Sequence, residues 1–109
     1  MDFNYYQKQA WTTAIYPNAG TDLTYPTLGL CGECGEVAEK VKKIIRDKNG
    51  VVNERDKEEL AKEISDCYWY LGALCTTLGL NMNDVAQLNL DKLFSRKERG
   101  VLGGSGDNR

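Results

Sequence analysis

The chain has 109 residues, of which 41% are hydrophobic and 28% charged, with a net charge of -2 and no histidine. That length suits one domain, and that balance excludes a disordered chain and gives no cationic field for nucleic acid. Without histidine, the commonest side-chain base and transition-metal ligand is missing, so any chemistry must run on carboxylates, lysine, tyrosine or cysteine.

Four helical segments can be read in chain order. The first runs from about Phe3 to Ile15 and is stopped by Pro17, Asn18 and Gly20. The second starts near Pro26-Thr27 and continues to about Asp47, where Lys48-Asn49-Gly50 forms a turn signal. The third spans roughly Asp56 to Leu78. The fourth begins near Asn83-Asp84, a fair N-cap, and reaches about Arg99. No strand of convincing alternation occurs. The expectation is an all-α subunit: an antiparallel, four-helix bundle-like domain over residues 1–99, completed by oligomerisation, with a Gly-rich tail over 100–109 that is flexible unless a ligand or partner orders it. No apolar run approaches the roughly 20 residues that span a bilayer. The polar start, Met1 to Ala10, does not read as a secretory signal. A cytoplasmic setting with four reduced cysteines is therefore expected, with neither membrane nor nucleic acid as partner.

The second and third helices carry the information. At about 100° per residue, Leu30, Cys34, Val37, Val41, Ile44 and Ile45 form an apolar stripe with Glu33 at its edge and Glu36 roughly 60° outside. On the third helix Leu60, Ile64, Cys67, Leu71, Leu74, Cys75 and Leu78 form the stripe. Glu63 sits at its edge and Asp66 lies roughly 60° outside. Both helices thus carry an acidic i,i+3 pair at the same angle to their apolar faces, and antiparallel packing could bring all four carboxylates to one edge of the seam. Such a group would repel itself and raise its own pKa values unless a cation lay within it. Hard oxygen ligands without histidine select Mg²⁺, or Mn²⁺, over zinc. Each pair taken alone reads more readily as a solvated helix face; the matching angles on two adjacent helices bring the ligand reading level with it.

The strings Gly32-Glu33-Cys34-Gly35-Glu36-Val37-Ala38-Glu39 and Glu63-Ile64-Ser65-Asp66, separated by residues 37–62, resemble the signature of the MazG-type all-α nucleotide pyrophosphohydrolases. The likeness extends to Asn89-x-x-Lys92-x-x-x-Arg96-Lys97 and Arg99-Gly100-Val101. It implies hydrolysis of a nucleoside triphosphate, ribo or deoxy, between the α and β phosphates, as nucleotide-pool housekeeping. It implies Glu33, Glu36, Glu63 and Asp66 as metal ligands, with Glu36 or Glu39 orienting the water. It gives Asn89, Lys92 and Arg96 contacts to phosphate or sugar. It also implies a dimer or tetramer with sites near subunit interfaces. Two alternatives stand beside it: an enzyme like phosphoribosyl-ATP pyrophosphohydrolase, and a helical dimerisation module without catalysis. A di-iron carboxylate protein would need Glu-x-x-His pairs, which the chain lacks.

Other residues have competing readings. Cys31-x-x-Cys34 could suggest zinc or redox work, but two further ligands are missing, and Cys67 and Cys75 lie on a core stripe, so structural cysteines are expected. Asn89, Lys92 and Arg96 share one helix face at i, i+3 and i+7. Trp11 is the favoured base-stacking candidate. Tyr68 reads as packing and Trp69 as a subunit-interface residue. The tail from Gly103 to Arg109 could bring backbone N–H groups and an arginine to phosphate.

Overall fold

The computed structural model describes residues 1–109 and contains four α-helices and no strand: α1 (Phe3–Trp11), α2 (Thr24–Lys48), α3 (Glu54–Leu78) and α4 (Met82–Glu98). The helix ends follow local chemistry. Asp2 caps α1 by accepting from the Tyr5 N–H at 2.7 Å. That helix stops at Trp11, short of the expected Ile15, because the Thr12 and Thr13 hydroxyls bond back to the Gln9 and Ala10 carbonyls at 2.6 and 2.7 Å, and such bonds compete with helix continuation. A capping box opens α3: the Asn53 side chain accepts from the Asp56 N–H while the Asp56 carboxylate accepts from the Asn53 N–H. The cap of α4 is Asn81, which accepts from the Asp84 N–H at 2.8 Å, so the helix begins slightly before the expected Asn83.

Between α2 and α3, Asn49 (φ 52°) and Gly50 (φ 76°) both adopt the left-handed region, where asparagine and glycine are tolerated. The turn folds α3 back along α2, and Lys48 reaches Asp56 at 2.7 Å across it. α2 and α3 share the largest helix–helix contact, and α1 packs on α3 and on α4. Polar side chains fix the second junction. The Gln7 amide donates to the Leu80 carbonyl (2.9 Å) and accepts from the Met82 N–H (2.8 Å), while Asn4 and Asn83 each accept the other's backbone N–H. α4 is therefore held chiefly through α1.

Only seven of the 109 residues are buried, including Ile44, Ala73 and Met82. The radius of gyration is 16.7 Å, against about 13 Å for a compact chain of this size. Leu88 and Phe94 on α4 and Ile45 on α2 are exposed despite their apolar side chains. The subunit is thus open, with much apolar surface unburied.

Candidate metal centre

The matching angles read from α2 and α3 have a structural counterpart. Carboxylate oxygens of Glu33, Glu63 and Asp66 all lie within 4.8 Å of one another on the α2–α3 seam. Glu33 and Glu63 are half-buried and Asp66 is exposed. Burial, followed by the neighbouring charges of Asp66 and Glu63, pushes the Glu33 carboxyl above the usual glutamate range. The Tyr6 phenol is likewise raised, first by burial and then by Asp66. A cation not singled out from sequence stands at the edge: Lys40 Nζ lies 3.8 Å from Glu63 Oε1 and 3.4 Å from Glu59 Oε2. Its signal was available, since residues seven apart lie only about 20° apart around a helix, which puts Lys40 on the Glu33 side of α2.

Two expected members stand outside this group. Glu36 is exposed and lies beyond the three-carboxylate cluster, although its charge still contributes to the upward shift of Glu33. Glu39 is exposed and engaged by Lys42 (3.0 Å) and Lys43 (3.8 Å). The Lys42 hydrogen bond holds its carboxyl below the ordinary range.

Beside the cluster, Thr13, Glu33, Asp66, Trp69 and Tyr70 line a cleft of about 260 Å³. Trp69, expected at a subunit interface, instead packs within its own chain. Its Nε1–H donates to Thr13 Oγ1 at 2.9 Å, and its ring meets Tyr16 and Tyr70 edge-on at 6.0 and 5.1 Å. Trp11 does not line this cleft; it packs edge-on against Tyr16 at 6.3 Å. Tyr16 in turn stacks on Tyr25 with centroids 4.6 Å apart. Tyr70 owes its position to Gly29, where an added Cβ would overlap its ring. Gly29→Ala is accordingly expected to cost about 1–3 kcal/mol through overpacking. Thermal melting would check this, with a shift in near-ultraviolet circular dichroism showing that the Tyr70 ring has moved.

None of the remaining sequence candidates lines the cleft. Asn89 lines an apolar groove with Phe3, Tyr68, Leu71 and Met82. Tyr68, read as packing, is half-exposed there and meets Tyr6 edge-on. Lys92 and the buried Arg96 both bind Asp107 of the tail, at 3.1 and 3.2 Å. The tail, expected to be flexible unless a ligand or partner orders it, is folded back on itself by contacts of its own Arg109. The cysteines do not form a common core either. All four are free thiols, with Cys31 and Cys34 exposed and Cys67 and Cys75 half-buried. The Cys34 and Cys67 sulfurs touch across the seam at 3.9 Å. Burial, then the contact with Cys34, raises the Cys67 thiol.

Three converging carboxylates, with no imidazole and no sulfur in the set, offer a hard oxygen site suited to a divalent cation such as Mg²⁺. After burial, which is its main cause, the upward shift of Glu33 reflects repulsion from Asp66 and Glu63 that a cation would relieve.

Residues 24–101 of this all-α chain match the model of the MazG nucleotide pyrophosphohydrolase domain. The chain belongs to that family. It is also 49% identical over 114 aligned positions, covering all of both chains, to a protein named Gene 37 protein from Mycobacterium phage L5. No solved structure matches it. No helix is long and apolar enough to cross a membrane.

Proposed function

We propose that the protein hydrolyses a nucleoside or deoxynucleoside triphosphate with Mg²⁺, cleaving between the α and β phosphates to release the monophosphate and pyrophosphate. The carrying observation is the meeting of Glu33, Glu63 and Asp66 on one seam, inside the region that matches the pyrophosphohydrolase domain. These three carboxylates would hold the metal, with Glu36 at the rim as a fourth ligand. A bound Mg²⁺ would neutralise phosphate charge and supply an acidified water. If it stays off the metal, Glu36 is instead the favoured proton acceptor, because it makes no ion pair. Glu39 is the weaker candidate, since its pairing with Lys42 lowers its basicity. Trp69 and Tyr70 replace Trp11 as the aromatic wall nearest the carboxylates, and a base would rest there. Asn89, Lys92 and Arg96 remain the candidates for phosphate and sugar contacts.

A homodimer or homotetramer would cover the exposed apolar side chains of α4, Leu88 and Phe94 among them. The setting proposed is the cytoplasm and the role removal of unwanted nucleotides. A panel of the standard ribo- and deoxyribonucleoside triphosphates with Mg²⁺, followed by phosphorus NMR, tests the reading. Monophosphate and pyrophosphate are expected from at least one nucleotide. Diphosphate and orthophosphate as products, or no turnover of any member, would overturn it. With phosphoribosyl-ATP added to the panel, turnover of that compound alone would point to the related enzyme class.

A further inference from the structure

The last ten residues fold into a closed loop. Gly100, Gly104 and Gly106 take φ values of 71°, 91° and 85°, a region open to glycine without strain, and these turns bring the chain end back onto α4. Arg109 then holds the loop shut. Its guanidinium donates to the carbonyls of Val101, Leu102 and Gly103 at 3.1–3.2 Å and to that of Gly106. Arg99, the C-cap of α4, closes the ring by donating to the Arg109 carbonyl at 2.7 Å. The outcome of this wiring is the placement of one side chain. Asp107 Oδ1 accepts from both Lys92 Nζ (3.1 Å) and Arg96 Nη2 (3.2 Å), and the Asp107 carbonyl accepts from Arg96 Nη2 as well.

We propose that Asp107 is a positioning residue for polyphosphate, holding Lys92 and Arg96 together as a two-cation site and leaving their other donors to the substrate. This rests on the nucleotide reading above. Two cations four residues apart on a helix repel one another, and Asp107 offsets that repulsion. The trio still carries a net charge of +1 (two cations, one carboxylate) and so attracts an anion. Asp107 does not saturate the cations: it binds them through one carboxylate oxygen, and Arg96 uses one nitrogen of three. Arg96 is only 7% exposed, yet its unused nitrogens are not sealed off. The sole buried side-chain polar atom without a partner is the Tyr16 hydroxyl. An arginine pinned on one side and open on the other is preorganised for a bidentate phosphate contact.

The test is calorimetric binding of inorganic tripolyphosphate to the full chain, for the wild type, Asp107→Asn and Asp107→Glu, alongside kcat and KM for whichever triphosphate is turned over. Asp107→Asn is expected to weaken tripolyphosphate about tenfold, since a charge-assisted bond is lost from a cation, and to raise KM similarly with kcat within twofold. Asp107→Glu should restore part of the affinity. The exposed carboxylate leaves melting little changed. Tighter binding by Asp107→Asn would mean that the carboxylate obstructs the cations and would overturn the proposal, as would unchanged binding or no binding by the wild type. Loss of melting temperature without rescue by glutamate would show a merely structural contact. If Asp107→Asn fails to fold, Arg109→Lys loosens the same clamp and must also weaken tripolyphosphate; unaltered affinity there counts against the proposal. Binding without turnover would reject the hydrolase reading alone, whereas turnover indifferent to Asp107→Asn would reject this inference alone.

Discussion

Replacing Asp66 by asparagine is expected to lower kcat/KM for the triphosphate by about two to three orders of magnitude, the scale on which loss of one preorganised electrostatic group acts, without unfolding the chain. Asp66 supplies one of three converging carboxylates, and asparagine keeps its shape while removing the charge and half of its ligand capacity. The side chain is exposed and takes part in no ion pair, so nothing structural depends on it. Its charge contributes to the upward shift of Glu33, so the metal-free variant should melt no lower than the wild type. Glu63→Gln should be as damaging to catalysis but less benign to stability, because Lys40 would lose one of its two carboxylate neighbours. Steady-state kinetics with Mg²⁺ titration and melting curves would separate these effects. Activity of Asp66→Asn within tenfold of wild type at the same Mg²⁺ dependence would refute the assignment of the site.

The angle of a side chain around a helix follows from residue spacing, so Glu33, Glu63 and Asp66 could be aligned in advance. Spacing does not give the axial register of two helices or the reach of each side chain. Glu36 sits at the same angle as Asp66 and yet remains at the rim. Trp69 was misplaced for a related reason. It points away from the α3 stripe, but the connection from Thr12 to Leu23 crosses that face and covers it with Thr13 and Tyr16. The tail reads as flexible because glycines dominate it, whereas the guanidinium of Arg109 gathers four carbonyls that precede it by three to eight residues, a pattern no periodicity announces. The incomplete core was legible in outline. A short helical chain has too little interior for its apolar residues, and α4 carries its excess outward.

Mg²⁺ at about a hundredfold over its Kd should stabilise the protein at pH 7 by about 2.7 kcal/mol, and so raise its melting temperature by about 10 °C or more for a domain of this size. At pH 4 the same addition should do little. In the metal-free chain Glu33 has its carboxyl raised by burial and by Asp66 and Glu63. The folded state therefore holds that proton more tightly than the unfolded chain. The associated stability is complete below the ordinary glutamate value of about 4.3 and is lost as pH climbs through the raised value. Glu39, Asp47, Asp56, Glu59 and Asp107 act in the opposite sense. Each is lowered by basic partners, so each adds stability above the ordinary carboxylate range and loses it on acidification. A melting curve against pH alone would mix the two behaviours. The difference between curves with and without Mg²⁺ cancels the pairs remote from the cluster, those of Glu39, Asp47, Asp56 and Asp107, and reports the three carboxylates together with Glu59, which shares Lys40 with Glu63. That difference should open as pH rises through the Glu33 transition, and it should collapse in Glu33→Gln. An equal Mg²⁺ shift at pH 4 and pH 7, or a full shift retained in Glu33→Gln, would place the cation elsewhere on the protein.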